Sequence, residues 1–105
     1  ELVAWVRIPQ LEGDYDTTLY MYYGNQTVDN QQRPEDVWDE NYIGVWHLGN
    51  ATASPSVDST RNNNDGITVS GASSTSSGKN GNAFVFGGTN DAIKINQSQS
   101  INNLK

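Results

Sequence analysis

The chain has 105 residues, enough for one small domain with a modest core. Its formal net charge of −6 argues against nucleic acid as a partner, and no apolar run approaches the roughly 20 residues of a membrane span, so we expect no membrane insertion in this segment. The absence of cysteine excludes disulfides, thiolate metal sites and cysteine nucleophiles.

The first part of the chain predicts two strands. Residues 2–8 alternate between two faces, and Pro9 ends the pattern. Residues 17–25, TTLYMYYGN, repeat the alternation. The segment between them is short and rich in turn-forming residues, so the sequence favours an antiparallel hairpin.

The rest of the chain predicts one helical turn and several more strands. In RPEDVWDEN, Pro34 suits a first helical position, and Glu35 and Asp36 suit the positive end of the helix dipole. YIGVWHL, GITVSG, AFVF and AIKI have strand character, whereas SGASSTSSGKNGN is nearly devoid of apolar residues and predicts a flexible surface loop. This pattern predicts an all-β fold, an antiparallel β-sandwich with one short helical turn.

Three Asn-x-Ser/Thr sequons bear on the location of the protein. They begin at Asn25, Asn50 and Asn96, and each is a candidate glycosylation site if the chain is exported. Such tripeptides also arise by chance in a chain rich in Asn, Ser and Thr. We expect an extracellular or cell-surface location.

The segment LYMYYGN resembles the last strand of a domain of unknown function found in bacterial and archaeal surface proteins. The signature Tyr-x-Tyr-Tyr-Gly-Asn falls on Tyr20, Tyr22, Tyr23, Gly24 and Asn25. The resemblance implies that residues 1–33 are the C-terminal strands of that domain.

Residues 34–105 resemble the N-terminal half of a concanavalin A-like, laminin-G-type jelly roll. The ordered motifs fall on Trp46, residues 58–66, 78–81, 84–86 and 86–92. Arg61 stands where that family often has glycine, and Ala92 stands where a larger apolar residue is common. Because such a sandwich usually needs about 150 residues, the resemblance implies an incomplete jelly roll. Either the chain is a fragment of a larger polypeptide, or strands from other chains complete its sheets.

Two loops of the predicted jelly roll are rich in side-chain oxygens, which are the ligands that calcium prefers. The resemblance places these loops near each other at one end of the sandwich. Asn, Asp and Gly also accumulate in turns, and we favour the turn interpretation over calcium, the one cofactor that the composition suggests. The candidate calcium ligands are Asp58, Asn62, Asn64, Asp65, Asn90 and Asp91.

The remaining candidate functional residues have simple structural interpretations. His47 lies in a predicted strand, and no nucleophile elbow surrounds any serine. The acids between positions 35 and 40 are expected to form a solvated face. Among the aromatic residues, Trp5, Trp38 and Trp46 are expected to fill the core, and only Tyr15 is expected to face a ligand.

These features predict a non-catalytic module for adhesion or glycan binding, with glycans or other surface proteins as partners. One alternative is a self-assembling subunit of a surface layer or filament, which would bind copies of itself. A second alternative is an accessory module of a secreted polysaccharide-degrading enzyme.

Overall fold

A computed structural model describes residues 2–48 and 56–104. Within these residues the fold belongs to the all-β class, with two antiparallel two-stranded sheets and two single-turn helices. The helices are α1 (Pro34–Val37) and α2 (Gln99–Asn102). The strands are β1 (Gly66–Val69), β2 (Ser73–Gly78), β3 (Gly81–Val85) and β4 (Ala92–Ile95).

Strands β1 and β4 pair in an antiparallel sheet. Gly66 lies opposite Ile95, and Val69 lies opposite Ala92. Two isolated antiparallel bridges, Ser56 with Gly66 and Trp46 with Asp58, extend this arrangement on the free side of β1. Residues 46, 56–58 and 66–69 therefore follow one another across the structure next to β4.

Strands β2 and β3 form a hairpin that corrects one sequence prediction. SGASSTSSGKNGN, expected to be a flexible loop, contains β2 and the turn into β3. Gly81 has a φ of +79°, and a Cβ on Gly78 would lie 2.6 Å from the Gly81 carbonyl oxygen. Glycines at both positions permit this tight turn, and the turn brings the serine-rich strand against β3.

Three predicted strands are absent from the structure. Residues 2–8 and 17–25 lie outside the helices and strands of the described chain, and residues 42–48 contribute only the bridge at Trp46. Alternation supplies two faces, but a strand also needs a neighbouring backbone to satisfy its hydrogen bonds. The predicted α1, β1, β3 and β4 are confirmed.

Apart from Gly66, the buried residues of the described chain are polar. Ser56, Asp58, Thr60 and Asn64 are each no more than 4% exposed, whereas no apolar residue in the described ranges is buried. We call these four residues the polar core. The expectation that the tryptophans fill a sandwich core is wrong, because Trp5 is 59% exposed and neither Trp38 nor Trp46 is buried. The sandwich and jelly-roll arrangements stay predictions.

No helix within residues 2–48 and 56–104 has the length and apolar character needed to cross a bilayer.

Replacing Gly44 by alanine tests how tightly the indole of Trp46 packs on the backbone. An added Cβ would meet Cη2 of Trp46 and would lie 2.5 Å from Cζ2 and 2.9 Å from Cζ3. The indole also donates a hydrogen bond to the Asn64 carbonyl oxygen, and it would lose this bond if it moved away from the added Cβ. We expect Gly44→Ala to lower the free energy of unfolding by about 1 to 3 kcal/mol in urea titrations.

Gly13→Ala is the matched control for Gly44→Ala. A Cβ on Gly13 would meet no atom within 4 Å, so we expect its effect to stay within about 0.5 kcal/mol. Equal effects of the two substitutions would contradict the packing of Trp46 on Gly44.

Candidate functional site

The carboxylate of Asp58 is the most highly coordinated group of the polar core. Its Oδ1 accepts hydrogen bonds from the backbone N–H groups of Val45 and Thr60, each at 2.9 Å. Its Oδ2 accepts from Thr60 Oγ1 at 2.8 Å and from the Asn64 N–H at 2.9 Å. Four donors therefore surround one buried carboxylate, and both oxygens are used within the protein.

These contacts shift the pKa of Asp58 downward. Burial of the carboxylate raises the pKa, but the backbone N–H groups of Val45, Thr60 and Asn64 and the hydroxyl of Thr60 lower it further than burial raises it. The net pKa lies below the ordinary aspartate value, so Asp58 is ionised at neutral pH.

Asn64 links the polar core to three other segments. Its Nδ2 donates to the Ile43 carbonyl oxygen at 2.7 Å and to Ser100 Oγ at 3.0 Å. Its Oδ1 accepts from Ser98 Oγ at 2.6 Å, and its backbone carbonyl oxygen accepts from Trp46 Nε1 at 2.8 Å. The loop that contains Asn64 is thereby fixed to residues 43–46 and to the start of α2.

Two further candidate calcium ligands also bind within the protein. Asn62 Nδ2 donates to the carbonyl oxygens of Tyr42 at 3.1 Å and Ile43 at 3.2 Å. Asp65 Oδ1 accepts from the Asp58 N–H at 2.9 Å. Asn63, between them, has a φ of +52°, a left-handed conformation that asparagine tolerates well in turns.

The second oxygen-rich loop lies at the other end of the β1 and β4 sheet. Asp91 precedes the start of β4, which pairs with Val69 at the end of β1, whereas Asp65 precedes the start of β1. Asp91 accepts from the Gly71 N–H at 2.8 Å and from the Gly87 N–H at 2.5 Å, and Asn90 is left-handed with a φ of +65°. The expectation that the two loops lie at one end is therefore wrong.

The six candidate ligands consequently do not form one set. In residues 2–48 and 56–104, no group of three or more acidic or histidine side chains converges in a way that could hold a metal ion. Calcium binding itself stays a prediction.

The acidic residues around α1 are exposed, and Arg61 lies beside them. Arg61 Nη2 donates to the Glu35 carbonyl oxygen at 3.2 Å and lies 3.8 Å from Asp36 Oδ1. Arg7 Nη1 donates to the Asp36 carbonyl oxygen at 3.3 Å. Arg61 thus connects the oxygen-rich loop to α1.

Aromatic rings from three segments meet in a cluster that we call the aromatic groove, formed by Trp5, Trp38, Tyr42 and His47. The ring centroids of Trp5 and His47 are 5.3 Å apart in a stacked arrangement, and Trp5 lies 5.5 Å from Trp38. Trp38 lies 5.0 Å from Tyr42 and 6.0 Å from His47. The faces of two tryptophans and one tyrosine are brought together in this way.

A pocket of about 360 Å³ lies along this groove, lined by residues 5–9, residues 37–39 and Tyr42. A larger pocket of about 650 Å³ is lined by residues 28–33 and Glu35, which include no aromatic side chain. We take the aromatic groove as the candidate functional site because it alone of these two pockets offers ring faces to a ligand.

The aromatic groove was not predicted from the sequence. Its members come from distant positions, and their spacing carries no signal that they meet. His47 was expected to lie in a strand with its hydrogen bond satisfied, but it stacks on Trp5. Tyr15, the predicted ligand-facing residue, is 80% exposed and makes no ring contact with the groove in the described structure.

Two of the three predicted glycosylation sites lie within the described residues. Asn25 and Asn96 are both exposed. Asn50 lies outside the described residues.

Comparison with known protein families identifies one family that the chain matches. The family model described as Domain of unknown function (DUF2341) matches residues 2–99. The chain belongs to this DUF2341 family. The match extends across the domain boundary predicted between residues 33 and 34, and the resemblance of the later residues to a concanavalin A-like domain stays a prediction. No curated protein and no solved structure matches the chain.

Replacing Asp58 by asparagine tests the role of the buried carboxylate. Asparagine would replace one carboxylate oxygen by an NH2 group, which would face the hydrogen-bond donors that now bind that oxygen. We therefore expect the free energy of unfolding at pH 7 to fall by about 3 kcal/mol. Because the pKa of Asp58 is lowered on folding, its stabilisation is present at neutral pH and is lost as the pH falls from about 4 through the folded-state pKa. Urea titrations across this range should therefore show a smaller loss of stability in acid for Asp58→Asn than for the wild type.

Asp36→Asn is the matched control for Asp58→Asn. The Asp36 side chain is 57% exposed and only pairs with Arg61 at 3.8 Å, so we expect a loss of no more than about 1 kcal/mol. An Asp58→Asn variant as stable as Asp36→Asn would contradict the structural role of Asp58.

Proposed function

We propose that this DUF2341 chain is a non-catalytic module of extracellular or cell-surface proteins that acts in adhesion by binding glycans. The observation that carries the proposal is the aromatic groove, where Trp5 and Tyr42 are 59% and 46% exposed beside a pocket of about 360 Å³. The apolar face of a sugar ring stacks well on the face of an aromatic ring, and Tyr and Trp add a polar group at the edge.

Polar groups at the edge of the groove suit the hydroxyl groups of a sugar. Arg7 and Asp39 both line the pocket. The hydrogen bond from Arg7 to the Asp36 carbonyl oxygen holds the guanidinium group beside α1. A donor and an acceptor therefore flank the ring faces, which is the combination that a small polar ligand requires.

The arrangement of titratable groups favours binding over catalysis. Asp58 uses both carboxylate oxygens to accept hydrogen bonds from the protein. His47 stacks on Trp5, and no hydrogen bond joins it to a serine or threonine hydroxyl in the described residues. The exposed sequons at Asn25 and Asn96 support an extracellular or cell-surface location.

Replacing Tyr42 by alanine tests glycan binding at the groove. Loss of the ring removes a stacking surface, so we expect the affinity for a bound oligosaccharide to fall about tenfold, equivalent to about 1.4 kcal/mol. A screen of immobilised glycans would identify the oligosaccharide, and isothermal titration calorimetry would measure its affinity for each variant.

Tyr22→Ala is the matched control, because Tyr22 is 93% exposed and lies outside the groove. It should bind the same oligosaccharide as tightly as the wild type. Equal losses in the two variants, or no glycan bound by the wild type, would overturn the proposal.

A second candidate function is that of a subunit that assembles with copies of itself. The chain exposes 8902 Å² of surface, whereas a folded monomer of 11.5 kDa is expected to expose about 5,800 Å². The excess of about 3,000 Å² exceeds the roughly 1,600 Å² that a standard protein interface buries. Residues 2–23 include many exposed apolar side chains, such as Leu2, Val6 and Leu19.

Self-assembly predicts a species larger than a monomer. Light scattering after size-exclusion chromatography should show a concentration-dependent mass above 11.5 kDa, and Leu19→Asp should shift it toward the monomer by placing a charge on the exposed apolar segment. A monomer at all concentrations would contradict assembly while leaving glycan binding open. Asp14→Asn, which changes an exposed polar residue of the same segment without adding a charge, is the control.

A further inference from the structure

The sequons at Asn25 and Asn96 differ in how the structure uses their hydroxyl groups. Both asparagines are exposed, so exposure alone does not separate them. In each sequon the hydroxyl lies two residues after the asparagine and is part of the motif that a glycosylating enzyme requires. The two sequons are therefore compared by the hydrogen bonds that the hydroxyl groups of Thr27 and Ser98 make.

At Asn25 the motif is exposed, and its hydrogen bonds lie within the sequon itself. Asn25 Oδ1 accepts hydrogen bonds from the Thr27 N–H at 3.0 Å and from Thr27 Oγ1 at 2.9 Å. Both contacts use the oxygen of the amide. Nδ2, the nitrogen that would carry a sugar, has no hydrogen-bond partner in the described residues.

The loop around Asn25 contributes to this exposure. Gly24 has a φ of +84°, and a Cβ there would meet no atom within 4 Å. Thr27 is exposed as well as Asn25. A bulky enzyme can therefore approach the sequon without displacing packed side chains.

At Asn96 the hydroxyl of the motif is already used by the fold. Ser98 Oγ donates to Asn64 Oδ1 at 2.6 Å and accepts from the Ile101 N–H at 3.3 Å as the N-cap of α2. Ser98 is only partly exposed, and its partner Asn64 is 3% exposed. Recognition of this hydroxyl would require α2 to lose its cap and the polar core to lose a contact.

We propose, resting on the extracellular or cell-surface location proposed above, that Asn25 is the N-glycosylation site of the folded protein within the described residues, and that Asn96 is not modified while α2 is formed. The donor is a lipid-linked oligosaccharide phosphate. Asn25 Nδ2 forms a bond to the anomeric carbon of the sugar, the bond from that carbon to the phosphate oxygen breaks, and the lipid phosphate leaves with the electron pair. The proton lost from Nδ2 passes to a basic group of the transferring enzyme.

The test uses the folded full chain with a single-subunit oligosaccharyltransferase and its lipid-linked donor. Asn50→Gln is introduced in every sample so that only two sequons remain. The enzyme is chosen because it modifies short peptides spanning residues 22–29 and 93–100 at similar rates. Mass spectrometry of proteolytic peptides then measures the occupancy of Asn25 and Asn96.

We expect Asn25 to be modified in the folded chain as fast as in its peptide. Modification of Asn96 should be slower than in its peptide by about tenfold or more, because it must wait for local unfolding of α2. Thr27→Ala should abolish modification at Asn25, and Thr27→Ser should retain it because the hydroxyl remains. Similar rates at the two sites in the folded chain, or an unmodified Asn25, would overturn the proposal.

Discussion

The hydrogen bonds to the buried carboxylate of Asp58 are the interaction on which the ordered structure depends. An ionised carboxylate is costly to remove from water unless donors replace the lost hydration. Four donors do so here, from Val45, Thr60 and Asn64. Hydrogen bonds to a charged group contribute about 1.5 to 3 kcal/mol each. The same contacts fix the path of the chain, because Val45 is thirteen residues from Asp58 in the sequence.

The polar core orders this protein through hydrogen bonds, whereas most domains are ordered by the burial of apolar side chains. Apolar contacts are non-directional, whereas hydrogen bonds specify a partner and an angle. The region around Asp58 can therefore be well defined although no apolar residue is buried in the described chain. The chain has a radius of gyration of 17.0 Å, compared with about 13 Å expected for a compact domain of this length. Precise local order thus coexists with a large exposed apolar surface.

The helices and strands that could be predicted from the sequence are those marked by residues within or next to the element itself. Pro34 and the acids after it predicted α1, and short apolar segments bounded by glycine or asparagine predicted β1, β3 and β4. Strand β2 was missed because its Ser and Thr residues resemble a loop in composition, and only the glycines of the turn bring it against β3. Residues 2–8 show the opposite case, in which alternation without a paired neighbour forms no strand.

The candidate sites were predictable only in part for a similar reason. The composition of residues 58–65 identified a cluster of side-chain oxygens, but not the N–H groups that those oxygens accept. The partners of Asp58 come from its own loop and from residue 45, and the pairing of residue 46 with residue 58 supplies the latter. The aromatic groove depends on longer-range contacts still, since Trp5 meets His47 across more than forty positions.

The polar core and the aromatic groove are physically connected through residues 42–47. Asn62 donates to the Tyr42 carbonyl oxygen, and Asp58 accepts from the Val45 N–H. These contacts hold the backbone that carries Tyr42 and His47, while the other side of the groove is carried by Trp5 and by Trp38 after α1. A ligand that stacks on both sides would therefore favour the arrangement that the polar core maintains, and by linkage its binding would stabilise that core. The buried charge thus contributes to the candidate site by holding the backbone that carries Tyr42 and His47.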